Sequence, residues 1–88
     1  MEDEPVEVPI EDALDLHPFL PGEVRDVALE YLEQARERGF REVRLIHGRG
    51  RGVQRASIQS LLQTLDYVET YYDASHLGAT VVVLKLLG

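Results

Sequence analysis

The chain contains no cysteine. A disulfide framework, a zinc–cysteine site and thiol catalysis are therefore excluded, and the composition fits a cytoplasmic protein. No apolar run approaches the roughly 20 residues that a membrane-spanning helix needs, and the opening Met1-Glu2-Asp3-Glu4 is unlike a signal peptide. Internal repeats and low-complexity tracts are missing too. Bases are scarce: 9 Lys and Arg stand against 16 Asp and Glu, a net charge of -7. Spread evenly, that charge would repel an anionic ligand, but it is not spread evenly. Glu2, Asp3, Glu4, Glu7, Glu11 and Asp12 lie in residues 1–12, which hold no base, and the remainder balances 10 acids against 9 bases. Seven of those nine bases fall between Arg36 and Arg55. The local potential decides what an anion meets, so an arginine-dense segment can serve nucleic acid, or it can simply solvate exposed faces.

What is present describes one small domain. Eighty-eight residues with a 44% hydrophobic and 28% charged composition match a soluble globular chain with a modest core. Residues 1–12, with Pro5 and Pro9, read as a flexible acidic arm, and residues 13–88 as the domain. Ala13-Leu14-Asp15-Leu16-His17 alternates apolar and polar and predicts a half-buried strand, stopped by Pro18 and Pro21-Gly22. Val24, Val27, Ala28, Tyr31, Leu32 and Ala35 form a continuous helical stripe, with Gly39 at the C′ position. Glu42–His47 follows as a second strand, and Gly48-Arg49-Gly50-Arg51-Gly52 as a loop. A second helix starts near Val53, with Ile58, Leu61, Leu62 and Leu65 at helical spacing. Tyr67–Tyr72 and Ala79–Leu86 read as the last two strands, the latter apolar on both faces and so central. The expected fold is a two-layer α/β sandwich in βαβαββ order, with a mixed four-stranded sheet and two helices.

A helix joins the first two strands, so a right-handed parallel crossover is favoured and their carboxyl ends share one sheet edge. His17 ends the first strand and His47 the second. If the strands are neighbours, the two histidines converge. The glycines of the 48–52 loop permit positive φ and close backbone approach. The helix that follows offers free N–H groups, and Arg49, Arg51 and Arg55 add charge-assisted contacts, a set suited to phosphate. The loop is neither a Walker motif nor a dinucleotide fingerprint, and an ordinary strand-to-helix turn would look similar. Asp15 and His17, two apart on a strand, share a face. The carboxylate can orient the imidazole for acid–base work, or the pair can hold a divalent cation with His47 as third ligand, or the histidine can simply be hydrogen-bonded. Two ligands alone do not make a metal site. His76 has no partner at useful spacing. Tyr31 belongs to the helix stripe; Tyr67, Tyr71 and Tyr72 are candidates for stacking on bases or for filling core and edge.

At this point the chain resembles a known family. Leu14-Asp15-Leu16-His17 is similar to the Leu-Asp-Leu-His-Gly signature that opens the Smr (small MutS-related) domain. His47-Gly48-Arg49-Gly50-x-Gly52-x-x-Arg55 resembles its second signature, and Gly78–Leu84 its closing strand. The three occur in family order over roughly residues 12–86. The resemblance implies a βαβαββ sandwich and nicking of DNA or cleavage of RNA. It implies that Asp15 and His17 belong to the cleavage motif, and that His47, Gly48, Arg49, Gly50 and Arg55 belong to the active surface. Two residues depart from the pattern. Pro18 replaces a glycine and removes an N–H, and Gln54 replaces a leucine, which bears on packing.

Two functions remain open. The first is an endonuclease in which Asp15, His17 and His47 act on the phosphodiester, with or without Mg²⁺ or Mn²⁺, while Gly48, Arg49, Gly50, Arg51, Gly52 and Arg55 hold DNA or RNA. The second is a non-catalytic binding module that uses the same loop. A further expectation is that the acidic arm mimics nucleic acid and covers the loop. Oligomeric state is not encoded legibly, although strands apolar on both faces permit pairing of two sheets.

Overall fold

The computed structural model describes residues 11–48, 53–74 and 78–86. β1 (Ala13–Asp15), α1 (Val24–Glu37), β2 (Glu42–Ile46), α2 (Val53–Gln63), β3 (Val68–Asp73) and β4 (Ala79–Leu84) follow in the expected order. The sheet order is β1-β2-β4-β3. β1 and β2 are parallel neighbours, while β4 runs antiparallel to both β2 and β3. β2 and β4 are thus the central strands, which agrees with reading Ala79–Leu86 as apolar on both faces.

Alternation along β2 decides which face is covered. Val43 and Leu45 are buried and Glu42 and Arg44 exposed. Val43 lies opposite Val82 and Leu45 opposite Thr80, so these four point into the layer beneath the helices. α1 buries Val24, Ala28, Leu32 and Ala35 there, and α2 buries Ile58, Leu61 and Leu62. Each fully buried leucine contributes about 1.5–3 kcal/mol of burial free energy. The other sheet face carries a smaller cluster of Ala74, Ala79 and Val81 with Ile46 against it.

α1 ends as its glycine predicts. Gly39 takes φ +85°, its N–H bonds the Arg36 carbonyl at 3.1 Å, and Phe40 N–H bonds the Ala35 carbonyl at 3.0 Å. This is a Schellman ending, with Gly39 at C′. At the same end of the molecule the Arg36 guanidinium lies 4.9 Å from the centroid of the Tyr67 ring. A bulge between Val68 and Thr70 turns Glu69 toward Arg41, which it meets at 2.9 Å.

Five boundaries differ from the patterning, one of them in β2, which stops at Ile46 instead of His47. β1 stops at Asp15 instead of His17, because the Asp15 side chain turns the chain. α2 stops at Gln63 instead of Leu65: Thr64 and Leu65 N–H groups reach back three residues, to Leu61 and Leu62, tightening the last turn. β3 runs one residue later than expected, and β4 ends at Leu84 instead of Leu86. Glu11 and Asp12, read as arm, are already fastened. The Glu11 carbonyl accepts from Tyr31 Oη at 2.6 Å, and the Asp12 carbonyl from Arg44 N–H at 2.9 Å. Among the described residues no helix is long and apolar enough to cross a membrane.

Candidate functional site

The parallel pairing of β1 and β2 sets the site. Ala13, Leu14 and Asp15 lie beside Arg44, Leu45 and Ile46, and Leu16 N–H continues the ladder onto the Ile46 carbonyl at 2.8 Å. One residue further, each strand delivers its histidine to the same edge. On the other side of β2, His47 and Gly48 N–H groups both bond the Gly78 carbonyl, at 3.0 and 2.9 Å. The root of the glycine loop is thereby held by β1 and by the turn into β4.

The first motif starts in β1 and ends in a turn, which shortens the strand reading from His17 to Asp15. Asp15 Oδ1 accepts the backbone N–H of His17 at 2.9 Å, the short-side-chain turn that Asp favours. Phe19 N–H then closes on the Leu16 carbonyl at 3.1 Å. Leu20 N–H donates to the Glu23 carboxylate at 3.1 Å, and Glu23 N–H returns to the Leu20 carbonyl at 2.8 Å, which starts the helix. Asp15 therefore orients the backbone of His17 and not its ring. The His17 imidazole is exposed and has no hydrogen-bond partner among the described residues. Leu16 between them is fully buried and anchors the turn in the core.

The second motif is buried at its start. His47 is only 6% exposed and Thr80 is 0% exposed. His47 Nδ1 lies 3.0 Å from the Gly48 carbonyl and Nε2 lies 2.9 Å from Thr80 Oγ1. Gly48 has φ +83°, while a Cβ built there would meet nothing within 4 Å. The glycine is required by the backbone angle and not by crowding. Arg49, Gly50, Arg51 and Gly52 lie outside the described residues, as does His76.

Arg55, expected on phosphate, is engaged by a residue that sequence reasoning missed. Its Nε and Nη2 meet Asp73 Oδ1 and Oδ2 at 2.7 and 2.6 Å, a bidentate fork. The Arg55 hydrogen bonds hold the Asp73 carboxyl below its ordinary range, with the Gln59 hydrogen bond acting in the same sense. Gln59 Nε2 sits 3.0 Å from Asp73 Oδ1 and 3.2 Å from Thr80 Oγ1. Asp73 and Gln59 had no motif to mark them, and Thr80 was marked only as part of the closing strand Gly78–Leu84. A lone threonine inside the apolar run Ala79–Leu84 was the one available signal.

The arginine-dense segment does not form one patch. Arg36 lies over Tyr67 and Arg41 pairs with Glu69, both at the end of the sheet away from His17 and His47. Arg44 is exposed on the sheet face away from the helices. The tyrosines are structural in the same way. Tyr67 and Tyr71 pack against the main core, and Tyr72 donates to Glu42 at 3.2 Å across β4. Among the described residues, no three His, Asp or Glu stand close enough together to share a metal ion. Both ring nitrogens of His47 are already engaged, which removes it as a ready third ligand.

A mixed sheet backed by two helices, with the His17 turn and the Gly48 end of β2 at the carboxyl edge of its parallel pair, defines a two-layer α/β domain. Of the residues that resemble the family signatures, Leu14–His17 span the end of β1 and the turn after it, and His47 and Gly48 follow β2. The chain belongs to the Smr domain family, which matches residues 14–85. It is similar to Endonuclease MutS2 of Fusobacterium nucleatum, 36% identical over 81 residues covering 88% of this chain and 10% of that protein. Endonuclease MutS2 of Clostridium tetani is 40% identical over 60 residues, 64% of the chain and 8% of that protein. The chain thus spans about a tenth of the length of the curated relatives it matches. The solved Smr domain of Thermus thermophilus MutS2 has a TM-score of 0.80 at 33% identity, covering 85% of this chain and 99% of that one. YdaL, a stand-alone small MutS-related protein from Escherichia coli, has a TM-score of 0.71 at 30% identity, covering 88% and 66%.

Proposed function

We propose that this Smr domain binds DNA or RNA at the carboxyl edge of β1 and β2 and nicks a phosphodiester there. The reading is carried by the parallel β1–β2 pairing, which delivers His17 and the Gly48 loop root to one edge. In this mechanism water attacks phosphorus and one P–O bond breaks. The exposed His17 ring takes the proton from water or gives one to the leaving oxygen. Arg49 and Arg51, with the loop N–H groups of Gly50 and Gly52 ahead of α2, hold the phosphate, and Arg55 frames the loop from α2. The name MutS2 endonuclease on its relatives supports the same class. The test is nicking of supercoiled plasmid and cleavage of structured RNA, each with and without Mg²⁺ or Mn²⁺. His17→Ala is expected to lower the rate about 10²–10⁴-fold while binding persists. Full activity in that variant sinks the assignment.

One observation favours a second reading. Asp15 is spent on a backbone N–H, so the His17 ring lacks the carboxylate that would orient it, and Pro18 contributes no N–H to a phosphate. A non-catalytic binding module has this geometry too. It would retain nucleic acid with a steep salt dependence and cleave nothing under any cation condition.

A further inference from the structure

Behind the glycine loop, a chain of hydrogen bonds crosses from the surface to the core, and its direction can be read atom by atom. It begins at the Asp73 carboxylate, which can only accept. Arg55 forks onto both of its oxygens, and the Gln59 group 3.0 Å from Oδ1 must likewise donate, so it is the amide NH₂. The second hydrogen of that NH₂ points to Thr80 Oγ1 at 3.2 Å. A hydroxyl that accepts from Gln59 still has its own hydrogen to give, and His47 Nε2 faces it at 2.9 Å. Across the ring, Nδ1 faces the Gly48 carbonyl at 3.0 Å. A carbonyl cannot donate, so Nδ1 carries the hydrogen. Every donor in the chain then has an acceptor, which two residues this deeply buried require.

We infer that His47 is a positioning residue, held by Thr80 as the neutral Nδ1–H imidazole, and that its task is to fix the Gly48 carbonyl at the root of the loop. Thr80, Gln59 and Asp73 are positioning residues behind it; Thr80 lies in the stretch that resembles the family's closing strand, and Gln59 and Asp73 lie in none of the three. Arg55 acts through Asp73 in the same chain. Proton transfer at this edge then falls to His17. The inference deepens the nicking reading and rests on it for the activity half of its test.

Two measurements on the full chain decide it. The first is ring-nitrogen NMR of ¹⁵N-labelled protein at neutral pH. His47 is expected to show a protonated Nδ1 and an unprotonated, hydrogen-bonded Nε2. Thr80→Val is expected to shift the Nε2 signal and weaken the tautomer preference, and Thr80→Ser to restore the parent pattern. A hydrogen on Nε2 in the parent, or a His47 spectrum unmoved by Thr80→Val, overturns the inference. The second is nicking by His47→Asn, whose amide N–H can replace the Nδ1–H donor to Gly48. Its rate is expected to stay within about tenfold of the parent, whereas His17→Asn falls by about 10²–10⁴. A loss of that larger size in folded His47→Asn, with binding intact, also overturns it. If the parent nicks nothing, the nicking reading fails alone, and the tautomer still decides the role of His47.

Discussion

Gly48 offers a perturbation whose sign and size follow from two facts: its φ of +83° and the open space around its missing Cβ. Gly48→Ala meets no steric neighbour, so the entire folded-state effect is backbone strain. An L-residue held in the left-handed region costs about 1–2 kcal/mol. Against this, alanine restricts the unfolded chain and returns about 0.4–1 kcal/mol. The net expectation is a destabilisation of about 1 kcal/mol. For a domain this small that lowers Tm by about 4–8 °C. Gly22→Ala is the internal control. It also has nothing within 4 Å of its Cβ but lacks the positive φ. Only the unfolded-state term remains there, and the variant is expected to gain up to about 1 kcal/mol. Thermal and urea melts of the three proteins check the pair. A Gly48→Ala protein as stable as the parent, or a Gly22→Ala protein equally damaged, refutes the reasoning. Nucleic-acid affinity measured well below both melting points then isolates the loop: a fall in affinity larger than the stability change explains marks close approach of ligand to this backbone.

The remaining expectations concern the core, the arm and charge. Leu45→Ala empties the centre of the helix–sheet layer and is expected to cost about 2–5 kcal/mol by urea denaturation; less than 1 kcal/mol would contradict its burial. Tyr31 is pushed up to about 12 by burial, then by Asp12 and Glu11. Its folded value lies above the unfolded one, so its contribution is intact below pH about 10 and is lost as pH rises toward 12. Tyr67 and Tyr72 are also raised, by burial and by the Glu42 hydrogen bond respectively, so spectrophotometric titration should show several late phenols, one fewer in Tyr31→Phe. Deleting residues 1–10 is expected to tighten nucleic-acid binding at low salt and to make little difference at high salt; a loss of affinity at low salt refutes the covering role of the arm. Two loop arginines imply a log–log salt slope near −2 on duplex DNA, at about −0.9 per phosphate, and Arg38→Ala is expected to leave that slope unchanged.

The βαβαββ order, both helix stripes, the central place of β4 and the parallel pairing of β1 with β2 were all legible, because periodicity and crossover handedness are local or topological rules. The end of β1 was not legible. Asp15 and His17 alternate with Leu14 and Leu16 as a strand would, yet the Asp side chain competes for the backbone and turns it. Arginine density misled for a different reason. Residues 36–55 pass from the end of α1 through β2 to α2, so neighbours in sequence are distributed over two ends and two faces of the domain. Asp73 and Gln59 were invisible because their partners lie 14 to 21 residues away, and nothing local announces such a pairing.

That polar chain also explains a choice that packing alone would not make. Thr80 and His47 occupy the layer between sheet and α2, where Val82, Leu45 and Ile58 show that apolar side chains fit. Polar pairs placed there are at best neutral for stability against well-packed hydrophobic residues. They stand at the one point where β2 stops being a strand and becomes the loop, next to a residue in a backbone conformation that side chains rarely take. An apolar residue at position 47 could fill the space but could not hold the Gly48 carbonyl. On this reasoning the buried histidine of the second signature is kept for geometry, and the exposed histidine of the first is the one left free for chemistry.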